Sequence, residues 1–467
     1  MRRIAYRFLA VISLFAAATV TTMGETRAHY GGTLRVLTQS APDSLELPAN
    51  ATTTSYWSTA RTLALVGDTL VKLDAQDRPQ PALAVAWQND ASARHWQFSL
   101  RRGVKFHDGS AATAEAIAQI LGALHPNWKV HASADMLSIE NDLPMPSLLA
   151  ELALPRNLVF KHNGNSVPIG TGPFLVAEWQ PGAKLKLTAN EQSWAGRPFV
   201  DAVEIEFGKS LREQAIALTL GKADVIETAP QAATDPHDTS ASSLPVELMV
   251  LVFSANSKAQ DAHLREALAL AIDRRPIHSV LLKGAGECAA SILPNWMTGY
   301  SAVFPSQANP QRARALLADS RPPTFNLSYD PRDLQAQLIA ERIALNAREV
   351  GVIVQVSLSG AEDIRLTRVV LPSPDPATAL DEVARQLGLP QPAFPATRGN
   401  SIEDLYEAER QLLDGYAVIP LFHLPVASAA SERVRNWTPG RLVSWNEAGA
   451  SLADVWLSSL PSDAGPR

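Results

Sequence analysis

Trp96-Gln97-Phe98-Ser99-Leu100-Arg101-Arg102-Gly103-Val104-Lys105-Phe106-His107-Asp108-Gly109 is the stretch on which the reading of this chain turns. Trp96, Phe98 and Leu100 alternate with polar residues, which places three large apolar side chains on one face of a strand. Arg102-Gly103 then turns the chain, Val104 and Phe106 begin a second short strand, and Asp108-Gly109 marks another turn. Taken alone, these residues predict a hairpin with one buried face.

Further along, Val167-Pro168-Ile169-Gly170-Thr171-Gly172-Pro173-Phe174 places two glycines at the spacing of a dinucleotide-binding loop. That reading fails, because Leu175 stands where the third glycine belongs and Pro173 has no N–H for a phosphate. A tight turn between two domains is expected instead. Val203, Ile205 and Phe207 alternate as a strand, and Ser210 with Glu213 forms a capping box for a helix that stops at Gly221. Ala223 to Ile226 follows as a short strand, a crossover that implies parallel strands. Helices are expected at 111–123, 144–153, 264–272, 333–351 and 402–413, and strands at 248–253, 352–356 and 417–422. Strands linked by helices throughout define an α/β class.

The first stretch resembles the signature of family 5 extracellular solute-binding proteins, the peptide/nickel-type receptors of bacterial ABC importers, written W-x-F-x-L-R-x-G-V-K-F-H-D-G. The stretch from Pro168 to Phe174 is similar to the family's P-x-G-T-G-P-F, and Leu264 to Arg274 to its V-R-x-A-L-x-x-A-I-D-R. The resemblance implies a two-lobed periplasmic-binding-protein fold of type II whose first lobe is split into two subdomains. It implies a signal peptide over 1–28 and a main subdomain of lobe 1 from 29–66, 168–247 and 433–467. The accessory subdomain would take 67–167 and lobe 2 would take 248–432, with crossings between lobes near 245–252 and 425–435. The likeness thins between 305 and 400.

The 467 residues are 46% hydrophobic, enough for several cores. Arg2, Arg3 and Arg7 precede an apolar run, Phe8 to Val20, that is too short to span a bilayer, and Thr26-Arg27-Ala28 offers a cleavage site. Arg2-Arg3 lacks the residues that should follow in a twin-arginine signal, and no Cys near the cleavage point offers a lipid anchor. The product is expected to be periplasmic, not membrane-embedded, and monomeric. Cleavage removes four Arg and one Glu from 41 basic and 47 acidic residues, leaving 37 against 46. No basic stripe remains for nucleic acid. Cys288, the single cysteine, cannot form an internal disulfide and reads as a small apolar residue.

No constellation for catalysis emerges: no G-x-S-x-G elbow, no H-E-x-x-H, and a Gly208-Lys209-Ser210 that lacks the first glycine of a phosphate loop. Glu204 and Glu206 share a strand face and read as a solvated surface. No cofactor and no metal site is expected. The expected function is delivery of a peptide-like or other small organic solute to an ABC importer permease. The alternatives are an exported sensor or scaffold that has lost transport, or an enzyme. Candidate ligand contacts are Trp57, Trp296 and Tyr300 as apolar walls, Arg365, Arg368 and Asp375 in the second lobe, and His423 after a buried strand. By the resemblance, Asp375-Pro376 matches an acidic-Pro step of peptide-binding relatives, but the preceding aromatic and Asp have no counterpart. With two arginines nearby, anionic or neutral solutes are expected to bind better than cationic dipeptides.

The address is directly testable. Sequencing the N-terminus of periplasmic material should begin at or near His29; recovery of intact Met1 or of a membrane-embedded form would contradict export by cleavage.

Overall fold

The computed structural model describes residues 28–47, 55–74, 78–162, 167–230, 240–255, 260–300, 302–318, 323–358, 362–392, 394, 401–437, 446–447 and 450–458. The signal segment and the tail from Pro461 lie outside them, except Ala28. One 11-stranded sheet runs through the protein. Its order is Ile353–Val356, Thr324–Ser328, Ile364–Val370, Ser240–Phe253, Val418–Ala430, Val225–Thr228, Thr33–Leu37, Ala202–Glu206, Lys184–Ala189 and Phe174–Gln180, with Glu287–Cys288 added to Val418–Ala430. Two long strands therefore stand at the centre, Ser240–Phe253 and Val418–Ala430, paired antiparallel.

Three apolar cores hang on this frame. Leu34, Val36, Phe174, Leu185, Val203 and Ile205 belong to one, with Val434, Leu452 and Val455 returning to it from the end of the chain. Leu70, Trp96, Phe98, Val104, Phe106, Ile117 and Leu137 form a second, around a separate sheet ordered Ala84–Asn89, His95–Leu100, Met136–Glu140, Lys129–Ser133. The third and largest gathers Leu248 to Phe253, Ala267 to Ile272, Ile339, Ile343, Leu366, Leu380, Val383 and Val418 to Leu424. Each fully buried Leu, Ile, Val or Phe contributes about 1.5–3 kcal/mol relative to exposure, so each core is held largely on its own account.

The local readings mostly hold, with instructive departures. Ser210 and Glu213 close the expected capping box of helix Leu211–Thr219, and Ser401 caps Ile402–Leu413. Asp333 caps helix Leu334–Glu349, after which Gly351 takes φ 96°. The strands Ala202–Glu206 and Val225–Thr228 are parallel as the crossover requires, but Thr33–Leu37 lies between them. The helix expected from Pro144 is only Leu148–Leu152, because Pro144 and Pro146 remain outside it. Residues 417–422 and 248–253 are parts of much longer strands.

The hairpin expected at Trp96–Phe106 does not form. His95–Leu100 is bordered on one side by Ala84–Asn89 and on the other by Met136–Glu140, so neither edge is left for Val104 and Phe106. Those two side chains drop into the core from a turn whose Asp108 accepts hydrogen bonds from the Ser110 N–H (2.9 Å) and hydroxyl. The turn then delivers His107 to the second motif. The His107 N–H donates to the Gly170 carbonyl at 2.9 Å, and its Nε2 lies 3.0 Å from the Gly172 carbonyl. Gly170 and Gly172 press against the backbone of Val66, whose carbonyl accepts the Gly172 N–H at 2.9 Å. Below them the buried Asp68 carboxylate accepts from Thr171 Oγ1 (3.1 Å) and Trp194 Nε1 (2.8 Å) and pairs with Lys72 Nζ (3.1 Å). The two sequence motifs are thus the two sides of one weld between the first and second cores.

A Cβ on Gly172 would sit 2.6 Å from the Val66 carbonyl carbon and 2.7 Å from its oxygen, both backbone atoms that cannot swing aside. Gly172→Ala should lower unfolding stability by about 1–3 kcal/mol, measured by urea denaturation. Gly182→Ala gives the comparison, because there a Cβ meets open space and only the positive φ of 70° is strained.

Candidate functional site

The carboxyl ends of parallel strands are where open α/β sheets present ligand sites. Here Thr33–Leu37 and Val225–Thr228 end close to where the two long strands leave the first core. At those ends, the carboxylate of Glu227, inside Val225–Thr228, accepts from Arg61 Nη2 (2.8 Å) and from the Gln39 N–H (2.6 Å). From the other core, Ile364–Val370 ends beside Glu247. The facing elements are helix Ser55–Leu63 and the short turn Pro155–Asn157 on one side, and helix Pro376–Leu387 on the other.

These elements touch across the gap at three points. Trp57 Nε1 donates to Gln386 Oε1 at 3.2 Å. Arg385 Nη2 donates to the Tyr56 hydroxyl at 3.1 Å, with the guanidinium 5.3 Å from the ring centroid. Arg156 Nη1 pairs with Glu382, and Arg156 Nη2 lies 3.4 Å from Asp381 Oδ2. Each side also holds a pair of its own: Arg156 Nε donates to Glu151 Oε1 at 2.8 Å, and Arg385 grips both oxygens of Glu382 at 2.9 and 2.6 Å. Glu382 is 1% exposed. Burial raises the Asp381 carboxyl above its ordinary range despite Arg156, and raises the Tyr56 phenol. Burial acts on Glu151 in the same sense, but Arg156 and Asn157 hold it below the ordinary range.

Of the residues singled out from the sequence, Trp57 lies at this meeting. Trp296 is in helix Asn295–Thr298 and donates through Nε1 to the Pro245 carbonyl at 2.9 Å, beside the crossing strands. Tyr300 donates from its hydroxyl to Glu409 Oε2 at 2.5 Å. Glu409 also takes the N–H groups of Ile292 and Leu293, so it pins the loop that carries Trp296; burial pushes this carboxyl up against those bonds. Arg368 is engaged by neighbouring side chains: Nε to Asp333 Oδ2 (2.7 Å), Nη1 to Glu247 Oε2 (3.3 Å) and Nη2 to Gln335 Oε1 (2.8 Å). Arg368 thus spends its donors on protein acceptors, and this weakens the case for an anionic ligand there, although burial raises the Glu247 carboxyl above its ordinary range despite Arg368. Arg365 is half-buried, with an Nε that has no hydrogen-bond partner. Asp375 caps helix Pro376–Leu387, accepting from the Thr378 N–H (2.9 Å) and hydroxyl (2.6 Å). His423 is 2% exposed, with Nε2 3.0 Å from the Ile292 carbonyl and Nδ1 3.5 Å from Glu287.

Tyr56, Arg156, Glu382, Arg385 and Gln386 escaped the sequence reading. Glu382, Arg385 and Gln386 share a helix face at i, i+3, i+4, which was visible; that Arg156 faces them from 226 positions upstream was not. Cys288 is half-buried and burial pushes its thiol up, in keeping with an unreactive side chain. Among the described residues no group of three or more His, Cys, Asp or Glu could hold a metal, and no helix is long and apolar enough to cross a membrane.

The family model for bacterial extracellular solute-binding proteins, family 5, matches residues 78–370, and the chain belongs to that family. Among curated relatives, it is 26% identical to the nickel-binding periplasmic protein of Escherichia coli K12 over 350 residues, covering 64% of this chain and 66% of that protein. It is 25% identical over 426 residues to a probable di/tripeptide-binding protein of Pseudomonas aeruginosa, covering 76% and 79%. The chain's match thus spans just under two thirds of the first of these. The structure superposes on the binding protein AgaA from A. tumefaciens R10, solved with agropinic acid, with TM-score 0.77 at 18% identity, over 92% of this chain and 99% of that one. The murein tripeptide binding protein MppA of Escherichia coli gives 0.78 at 18% identity over 92% and 99%. The fold is that of these two-lobed, type II periplasmic binding proteins.

Arg368 supplies a test of its assignment. Arg368→Ala leaves Glu247 and Asp333 facing each other in a largely buried setting, and should cost about 3–5 kcal/mol of unfolding stability. Tyr300→Phe removes one of three donors to Glu409 and should cost about 1–3 kcal/mol. Chemical denaturation of each purified variant checks both; an Arg368→Ala protein as stable as the parent would return that arginine to ligand duty.

Proposed function

We propose that this protein is a periplasmic receptor that clasps a peptide-like or other small organic solute between its lobes and presents it to an ABC importer, with no covalent chemistry. The observation that carries the reading is the crossing between lobes. The two long strands share a ladder, yet in its middle Pro245 stands directly opposite Pro425, with register shifts on both sides. Neither proline has an N–H to donate, so the ladder is weakest where it passes from one core to the next. A bulged, donor-poor stretch flanked by well-paired strand is a place where small changes in φ and ψ can swing one lobe against the other. Helix Pro376–Leu387 would then close on helix Ser55–Leu63 and the Pro155–Asn157 turn, with solute held near the carboxyl ends of the sheet strands.

The relatives named above carry nickel and di- or tripeptides by their names, and agropinic acid is bound in one structural neighbour. Those chemistries define the trial set. Native mass spectrometry of protein purified from its own periplasm should reveal a small molecule released on denaturation. Saturation with that molecule should raise the midpoint of thermal unfolding. A midpoint unmoved by every saturating solute would overturn the clasping receptor.

A further inference from the structure

We propose that Arg156, Tyr56 and Trp57 on the first lobe and Glu382, Arg385 and Gln386 on the second form a latch that holds the lobes clasped before any solute is bound. The inference rests on the two-lobed reading of the cleft, and deepens it by naming what governs opening.

The arrangement has the properties a reversible latch needs. Each half is already neutralised within its own lobe, Arg156 by Glu151 and Arg385 by Glu382. Opening therefore strands no lone charge in a dry interior, which is what makes the loss of a buried partner so costly elsewhere. Closing adds four contacts that exist only between lobes: Arg156 to Glu382, the longer approach of Arg156 to Asp381, Arg385 to the Tyr56 hydroxyl, and the Trp57 indole N–H to Gln386. The contacts come from rigid elements. Pro376–Leu387 is capped at both ends, by Asp375 and by Gly388 in the left-handed conformation, and is buried along Ala379, Leu380, Val383 and Ala384. Gln386 also reaches the Val370 carbonyl at 3.4 Å and Glu382 at 3.3 Å, tying the latch face to the sheet. Arg156 is fixed by the Glu151 fork and by the neighbouring Asn157, whose Oδ1 accepts from His125 Nε2 and whose Nδ2 donates to the Glu151 carbonyl.

Glu382 is the part shared by both lobes, since its carboxylate takes Arg156 and Arg385 together. Glu382→Gln keeps its shape and removes its charge. A solute entering the cleft works against or with this contact, so the same residues set affinity without touching the solute. In that sense they are positioning residues.

The test uses the whole mature protein, unfolded in guanidinium and refolded to strip bound solute, and compares small-angle scattering of the parent with Glu382→Gln and Arg156→Gln. The parent should give a radius of gyration near the compact value, about 22 Å for a chain of this size, and both variants a larger one with unchanged circular dichroism. Arg156→Lys, which keeps the charge, should restore part of the compaction, and Asp381→Asn, at the more distant and exposed carboxylate, should change little. If Glu382→Gln fails to fold, Trp57→Phe removes the indole N–H that reaches Gln386, leaves the bonds of Gln386 to Val370 and Glu382 in place, and should also expand the protein. Equal radii for the parent and every folded variant, or a solute-free parent already as expanded as the variants, would overturn the latch. Neither result touches the receptor reading, which fails only if no solute alters the protein; a latch without a solute would leave expansion of the variants intact.

Discussion

Everything in this protein depends on a single pairing, that of Ser240–Phe253 with Val418–Ala430. The two strands are far apart in sequence and bring together chain that would otherwise belong to separate domains. At one end Ala427–Ala430 joins Val225–Thr228 of the first core, and at the other Glu247–Phe253 joins Ile364–Val370 of the third. A sheet shared in this way gives both lobes a common reference. The facing prolines at 245 and 425, with register shifts on both sides, leave a donor-poor line across it between the first and third cores. Trp296 buttresses that line through the Pro245 carbonyl, and Glu409 holds the loop on which Trp296 sits.

The second constraint is the weld between the first two cores. His107, Gly170, Gly172, Val66 and Asp68 meet where backbone passes within contact distance of backbone. Glycine is required there because of proximity, with no positive φ involved at either position. The weld ties the second core to the first. It also fixes the Leu148–Asn157 segment, and with it Arg156, relative to the helix that carries Tyr56 and Trp57. The family's two motifs are therefore construction features, and their presence speaks to the fold and leaves the solute open.

Charge in the cleft is organised as closed sets. Glu227 takes Arg61, Arg368 takes Asp333 and Glu247, and Arg385 and Arg156 share Glu382. Half-buried ion pairs of this kind add little to net stability over an apolar packing, because desolvation offsets most of the Coulomb gain. What they do supply is geometry, since each guanidinium orients several acceptors at once.

What the sequence by itself determined is the set of locally encoded elements. The capping box at Ser210, the helix from Asp333 to Gly351, the helix 402–413 and the alternation of Val203, Ile205 and Phe207 depend on neighbours within a few residues, and all could be read directly. The family followed from motifs that are themselves short. Tertiary structure alone decided the rest. Trp96–Phe106 carries hairpin chemistry, yet forms none, because strands from elsewhere occupy both edges of His95–Leu100. Asp375 stands out by its resemblance to an acidic-Pro step and Arg368 by its nearness to that stretch; one caps the helix that follows it, and the other has carboxylates 35 and 121 positions away. The pairing of Arg156 with Glu382 carried no signal, the two being 226 positions apart with no periodicity between them. A short-range pattern survives in one dimension because the same atoms meet in any fold; a contact across the cleft exists only once two cores and the strands between them have been placed.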